Sequence, residues 1–264
     1  MIARPPAAPR LAHAKSPRGT RVLTVLEPGA ASSYEAAVAA LVPYIERSLL
    51  ASVVANRAML INSVPPSFRL EPWRAARDRF AREARRLAAG AGALLVADVR
   101  SCYPSIGVEV VYRRLRSLGC PPESASALRC LLESFRFVGV SGLPIGPEPS
   151  AVLANAVLSE ADEALAAVGA AHLRWVDDFF VFTRNARVAE AALRALRRSL
   201  SRTGLELAED KTLLVEGRSD ILTAIRRCGI SANGPGYHRD DAHPVPGVED
   251  PHALVSAERG VDPG

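Results

Sequence analysis

Lysine is almost missing from this chain of 264 residues. Of its 33 basic residues only Lys15 and Lys211 are lysine; all the others are arginine. A lysine kept against that background is a candidate for work arginine does badly, since guanidinium holds its proton near neutral pH and a suitably placed ammonium does not. Aromatic residues are scarce as well, at 5%, with two tryptophans. The four cysteines, Cys102, Cys120, Cys130 and Cys228, form no CxxC pair. That speaks against a zinc ribbon or a disulfide framework and fits the reduced thiols of a cytoplasmic protein. No apolar run is long enough to cross a membrane. The opening "MIARPPAAPRLAHAKSPRGTR" has no apolar stretch of the kind a secretory signal needs. A cytoplasmic location with no membrane partner is therefore expected.

What is present is enough apolar residue, 48%, to bury a core, and a net charge of +5 with a pI near 9.3, which suits a nucleic-acid partner. Residues 1–20 are basic and Pro-rich and read as disordered. Residues 21–92 read as a helical region, with apolar spacing over Tyr34–Arg57 and an Arg-rich amphipathic helix over Glu71–Ala89. Residues 93–232 alternate between types. "ALLVADV" (93–99) has the signature of a buried strand, helices follow near Glu109–Leu118 and Pro122–Phe135, and a Gly- and Pro-rich loop leads into an Ala-rich helix over 150–168. "LRWV" and "FFVFT" read as two strands joined at Asp177-Asp178, then come a helix near 186–203 and short strands near 205–207 and 212–215. From about Asn233 the chain reads as a tail. Its HRDDAH stretch could be drawn as a metal site but has no structured frame around it. The layout predicts an α+β fold, a small antiparallel sheet with helices packed on one face.

The pair in "WVDDFF" (175–180) poses a physical question, because adjacent carboxylates among apolar neighbours repel each other and resist burial. Asp98 ends an earlier strand. If the strands are neighbours, Asp98, Asp177 and Asp178 converge at one end of the sheet, a cluster that divalent cations would neutralise. Mg²⁺ takes hard oxygen ligands and keeps positions open for phosphate. Two such ions roughly 3.5–4 Å apart serve in-line phosphoryl displacement. An ordinary polar hairpin turn would also carry Asp.

Four blocks in order across residues 93–215 resemble the palm of reverse transcriptases: "DVRSCYPSI" (98–106), "GLPIGPEPSAVLANAVL" (142–158), "WVDDFFVF" (175–182) and "GLELAEDKT" (204–212). The wording of "YPSI" and "GLPIGPEPS" looks closest to bacterial enzymes of the abortive-infection and defence type. The resemblance implies a fingers–palm architecture and Mg²⁺-dependent nucleotidyl transfer from dNTPs, with Mn²⁺ as a substitute. The partners it implies are an RNA template and a nucleic-acid or protein primer. It makes Asp98 and Asp177 the principal metal ligands, with Asp178 less direct. Tyr103 becomes the aromatic gate against a 2′-OH, with Val99 beside it. Pro144, Gly146 and Ser150 support the incoming nucleotide, with Ser150 equally readable as a helix cap. Lys211 would act as general acid at the leaving pyrophosphate if its pKa is depressed. Arg57 and Arg69 are candidate triphosphate contacts, and the Arg face of 71–89 is a candidate for the nucleic-acid backbone. The chain departs from the family pattern at Trp175, where Tyr is usual, and at Ile145, where Gln is usual. The stretch after Lys211 is short for a thumb, so a partner protein, a structured RNA or self-assembly would supply that surface. A catalytically silent palm that binds RNA or protein, and an untemplated or cyclase-like palm, remain as other readings.

Overall fold

A computed structural model describes residues 10–15 and 19–227, with side chains from residue 23 onward. The HRDDAH stretch, Cys228 and the tail expected over 233–264 lie outside the described residues. The first half of the chain contains β1 (Arg10–Lys15), β2 (Gly19–Thr24), α1 (Pro28–Ala39), α2 (Val42–Ser48), β3 (Ala58–Ile61), β4 (Ser67–Leu70), α3 (Trp73–Ala89), β5 (Ala93–Asp98), α4 (Cys102–Ser105), α5 (Val108–Ser117) and α6 (Pro122–Phe137). The second half contains α7 (Glu148–Ala167), β6 (Ala171–Trp175), β7 (Asp178–Thr183), α8 (Ala186–Arg202), a 3₁₀ turn (Glu209–Lys211), β8 (Leu213–Glu216) and α9 (Arg218–Ile225). The fold is α+β, as the sequence predicted.

Its centre is an antiparallel four-stranded sheet in the order β6-β7-β5-β8. The β5 run is buried from Ala93 to Ala97, because both of its faces are covered, and only Asp98 at its end is half-buried. Leu95 and Ala97, with Phe179 and Val181 of β7, pack into the larger core under α1, α2, α5, α6, α7 and α8. Leu94 and Val96, with Phe180 and Phe182, face the opposite way. That second face differs from the expectation of helices on one side only. Ala76, Phe80, Ala84 and Ala88 of α3 and Ile221, Ala224 and Ile225 of α9 cover it. The four-residue spacing in α3 draws one apolar stripe through an Arg-rich helix, and this stripe is what docks.

Three further differences have local causes. The apolar spacing over 34–57 is real, since Tyr34, Val38, Leu41, Val42, Ile45 and Leu49 are all buried. It is carried by two helices, however, because Pro43 has no N–H to continue the first and sits in the opening turn of the second. Residues 10–15 and 19–24, expected within or beside a disordered segment, pair as two antiparallel strands. The β3–β4 hairpin, Ala58–Ile61 against Ser67–Leu70, was not anticipated either.

Candidate active site

The β5–β7 register sets Asp98 directly opposite Asp178. Asp177 occupies the two-residue turn before β7, and its carbonyl accepts from Val99 N at 3.2 Å. The sheet therefore gathers all three carboxylates at one end. Burial first, then the charges of Asp177 and Asp98, push the Asp178 carboxyl up to about 7, with Lys211 opposing. Ala208 N donates to the Asp98 carbonyl at 2.8 Å and so carries the 3₁₀ turn alongside. From that turn Lys211 Nζ lies 3.0 Å and 3.1 Å from the two carboxylate oxygens of Asp98. Partial burial pulls the ammonium down, but the hydrogen bond and charge of Asp98, with Asp178 and Asp177 behind, outweigh it and leave Lys211 raised. The sequence-based condition of a depressed lysine is thus not met at this site, where the ammonium serves as counter-charge.

Among the described residues no three His, Cys, Asp or Glu side chains form a closed metal cage. The donor set is nevertheless of the kind Mg²⁺ uses: it is held through one or two carboxylates and completes its shell with water and substrate phosphate. Asp98 and Asp177 line an open cavity of about 850 Å³, which gives such a shell room. Asp178 stands behind them, directly across the β5–β7 pair from Asp98.

Tyr103, on the short α4, lines the same cavity together with Val99 and Lys211. The Gly-Pro loop is seated on that turn. Leu143 N donates to the Tyr103 carbonyl at 2.9 Å. A Cβ on Gly142, whose φ is +61°, would meet the carbonyl oxygens of Pro104 and Tyr103 at 2.4 Å and 2.5 Å. Only glycine allows this approach, and it brings Ile145, Gly146 and Pro147 to the cavity wall. Pro144 is buried and does not line the cavity. Ser150 is not brought to the site. It is fully buried one turn into α7, its hydroxyl 3.1 Å from Tyr34 Oη, and α7 begins at Glu148, so Ser150 does not cap it either. Arg57 is committed to the fold through Glu46 at 2.7 Å and the carbonyls of Leu50 and Val53. Arg69 is exposed on β4.

Two other features of the site carry no pattern in the sequence. The three non-glycine residues with positive φ among those described, Asn56 (57°), Ser101 (44°) and Val176 (57°), all line this cavity. Backbone strain of this sort, about 1–3 kcal/mol per residue, gathers at functional sites. Both tryptophans line it too. Trp175 packs edge-on against Phe80 at 5.7 Å, and Trp73 lies between Arg74 and Arg77, whose guanidinium carbons are 5.6 Å and 5.8 Å from its ring centre. Trp175 stands in the block that the sequence already marks, whereas for Trp73 the scarcity of aromatics was the one available signal.

A model of the reverse transcriptase (RNA-dependent DNA polymerase) family matches residues 45–233, which contain the whole carboxylate site. The chain belongs to that family. No curated protein matches the sequence. Among solved structures, telomerase from Candida albicans in complex with a TWJ fragment of telomeric RNA superposes with a TM-score of 0.53 at 13% identity, over 81% of this chain and 42% of that one. Apo telomerase from Candida tropicalis, truncated from its C-terminal domain, gives 0.49 at 13% identity, over 80% and 50%. The reverse transcriptase fold is what the first superposition shares, and the chain spans half or less of either telomerase.

Proposed function

We propose that this chain is an RNA-directed DNA polymerase that transfers deoxynucleotides from dNTPs to a 3′-OH or to a protein hydroxyl. The observation that carries it is the placement of Asp98 and Asp177 at one wall of the cavity, with Asp178 paired to Asp98 in the sheet, and of Tyr103, Ile145 and Gly146 at another. Asp98 and Asp177 would hold divalent cations, Mg²⁺ or Mn²⁺, once Lys211 yields its place on Asp98. When bound, such ions stabilise the attacking and leaving oxygens of an in-line displacement. The primer hydroxyl gives up its proton to solvent, its oxygen bonds the α-phosphorus, and the bond from that phosphorus to the pyrophosphate oxygen breaks. Lys211, released from Asp98 and still protonated, supplies a proton to that leaving group, a role that its raised rather than depressed pKa now assigns to the ammonium itself. Tyr103 sets its ring where a 2′-OH would clash, selecting dNTPs. Val99 and Gly146 contribute backbone to the nucleotide pocket.

Ile145 favours a second reading. An apolar side chain lines the cavity where relatives carry Gln, which suits extension with little template guidance. A role in antiphage defence, a cytoplasmic location and a partner or second copy that completes the duplex grip are parts of the proposal carried by sequence resemblance. No described helix is long and apolar enough to cross a membrane.

The test is incorporation of labelled dNTPs or NTPs by purified protein with Mg²⁺ or Mn²⁺, with and without an RNA template and DNA primer. Asp177→Ala/Asp178→Ala protein is the control. Template-dependent dNTP incorporation that disappears in the control supports the first reading, and template-free incorporation the second. A folded protein that incorporates nothing under any condition refutes both for the isolated chain.

A further inference from the structure

The turn that presents Asp177 is one its sequence does not favour. Val176 holds φ at 57°, a region that β-branched side chains avoid. Beneath it lies a group of buried polar side chains that the reaction itself does not use. Asn155 and Asp162 lie two turns apart on α7 and share its buried face. Between them and the turn lies Arg174 of β6, with no exposed surface. Arg174 Nε donates to the Asp162 oxygens at 3.1 Å and 3.0 Å, and Nη2 donates to Oδ2 at 2.8 Å. Nη1 divides its two protons between Asn155 Oδ1 at 2.7 Å and the Val176 carbonyl at 2.8 Å. Asn155 Nδ2 in turn donates to the carbonyls of Ala55 and Asn56 at 3.0 Å and 3.1 Å. Two of the three strained residues that line the cavity are therefore held by their carbonyls from one buried cluster.

Stability alone does not call for such a cluster, because well-packed apolar residues of similar volume replace a buried ion pair at little or no cost. They cannot replace a donor aimed at a carbonyl inside a turn. A planar guanidinium reaches Asp162, Asn155 and Val176 at once, whereas an ammonium is a point charge without that fork. We infer that Arg174, oriented by Asp162 and Asn155, is a positioning residue. Its bond to the Val176 carbonyl fixes the turn so that Asp177 and Asp178 meet Asp98 in metal-binding geometry. The inference rests on the proposed reading of these carboxylates as metal ligands.

The experiment measures Mn²⁺ binding by electron paramagnetic resonance, with and without dTTP and with no primer, so that nothing turns over. It is paired with thermal unfolding of each protein. Wild type, Asp177→Asn, Arg174→Lys and the neutral pair Asp162→Asn/Arg174→Met are compared. Arg174→Lys keeps a charge for Asp162 but lacks the fork, and the neutral pair removes the uncompensated charge that would otherwise unfold a single variant. The expected result is a neutral pair that melts near wild type and a Mn²⁺ dissociation constant raised on the order of 10–100-fold in both Arg174 variants. Folded Arg174 variants that bind Mn²⁺ as wild type does would overturn the inference. So would failure of both to fold, which would make the cluster an element of folding only. If wild type binds no Mn²⁺, or Asp177→Asn binds it undiminished, the metal reading of the site fails and the positioning role falls with it.

Discussion

Asp178 is where the electrostatics of the site concentrate. Its carboxyl is pushed from 3.8 up to about 7 by burial and then by Asp177 and Asp98. A group raised in this way favours the fold in its protonated form, so its contribution is fully present below about pH 4 and is lost as pH rises through 7. The whole swing is worth a few kcal/mol at most. The prediction is a crossover in thermal unfolding of the metal-free protein. Relative to wild type, Asp178→Asn gains melting temperature between pH 5 and pH 8, and Mg²⁺ at pH 8 narrows the gap. A gap that stays flat with pH would show that the carboxylates do not share one field. Burial works against the charge of Asp162, but Arg174 and His172 overcome it and hold that carboxyl below its usual range. Asp162 titrates in both proteins alike and cancels in the comparison.

At the level of elements, the Gly-Pro loop and α4 act as one wall because Gly142 lets their backbones touch. Gly142→Ala places a methyl 2.4 Å from the Pro104 carbonyl oxygen at a φ of +61°, so the loop must shift. The expected outcome is a loss of about 1–3 kcal/mol in stability, together with a higher KM for nucleotide in primer extension. A variant that melts and extends like wild type would separate the loop from the pocket. The elements that the sequence made legible were those with strong patterns: the apolar runs of β5 and β7, the long Ala-rich α7, and the Asp pair between two strands. β3 and β4 escaped notice because they are four residues long, and Met59, Leu60 and Ile61 show no alternation, all being exposed. Ser150 looked like a cap because the Ala-rich stretch begins beside it, yet the helix starts two residues earlier and the hydroxyl faces Tyr34. Asn155, Asp162 and Arg174 were invisible because each is an ordinary polar residue in its own segment, and only the packing of β6 against α7 joins them. A buried helix with polar residues seven apart, and an arginine inside an apolar strand, were the signals available.

Over the whole molecule, charge is arranged by helix packing. Once Ala76, Phe80, Ala84 and Ala88 are buried, α3 presents Arg74, Arg82 and Arg85 to solvent, while Arg79 is tied to Glu71 at 2.5 Å. If this face follows a nucleic-acid backbone, Arg74→Gln/Arg82→Gln/Arg85→Gln weakens RNA binding equally across sequences. It also flattens the plot of log affinity against log salt by about 0.7 for each phosphate that the face no longer neutralises. An unchanged slope would mark the face as merely solvated. The pairing of Lys211 with Asp98 has a practical consequence as well. Apart from Lys15 and the α-amino group, Lys211 is the only amine the chain owns, and its side chain is 57% exposed at the mouth of the cavity. An acylating reagent selective for amines, followed by mass spectrometry of the peptide that carries Lys211, becomes a footprint of a single side chain. Occupancy of the pocket by nucleotide or metal then reads out as a change in labelling rate at one mass, with no reporter group engineered into the protein.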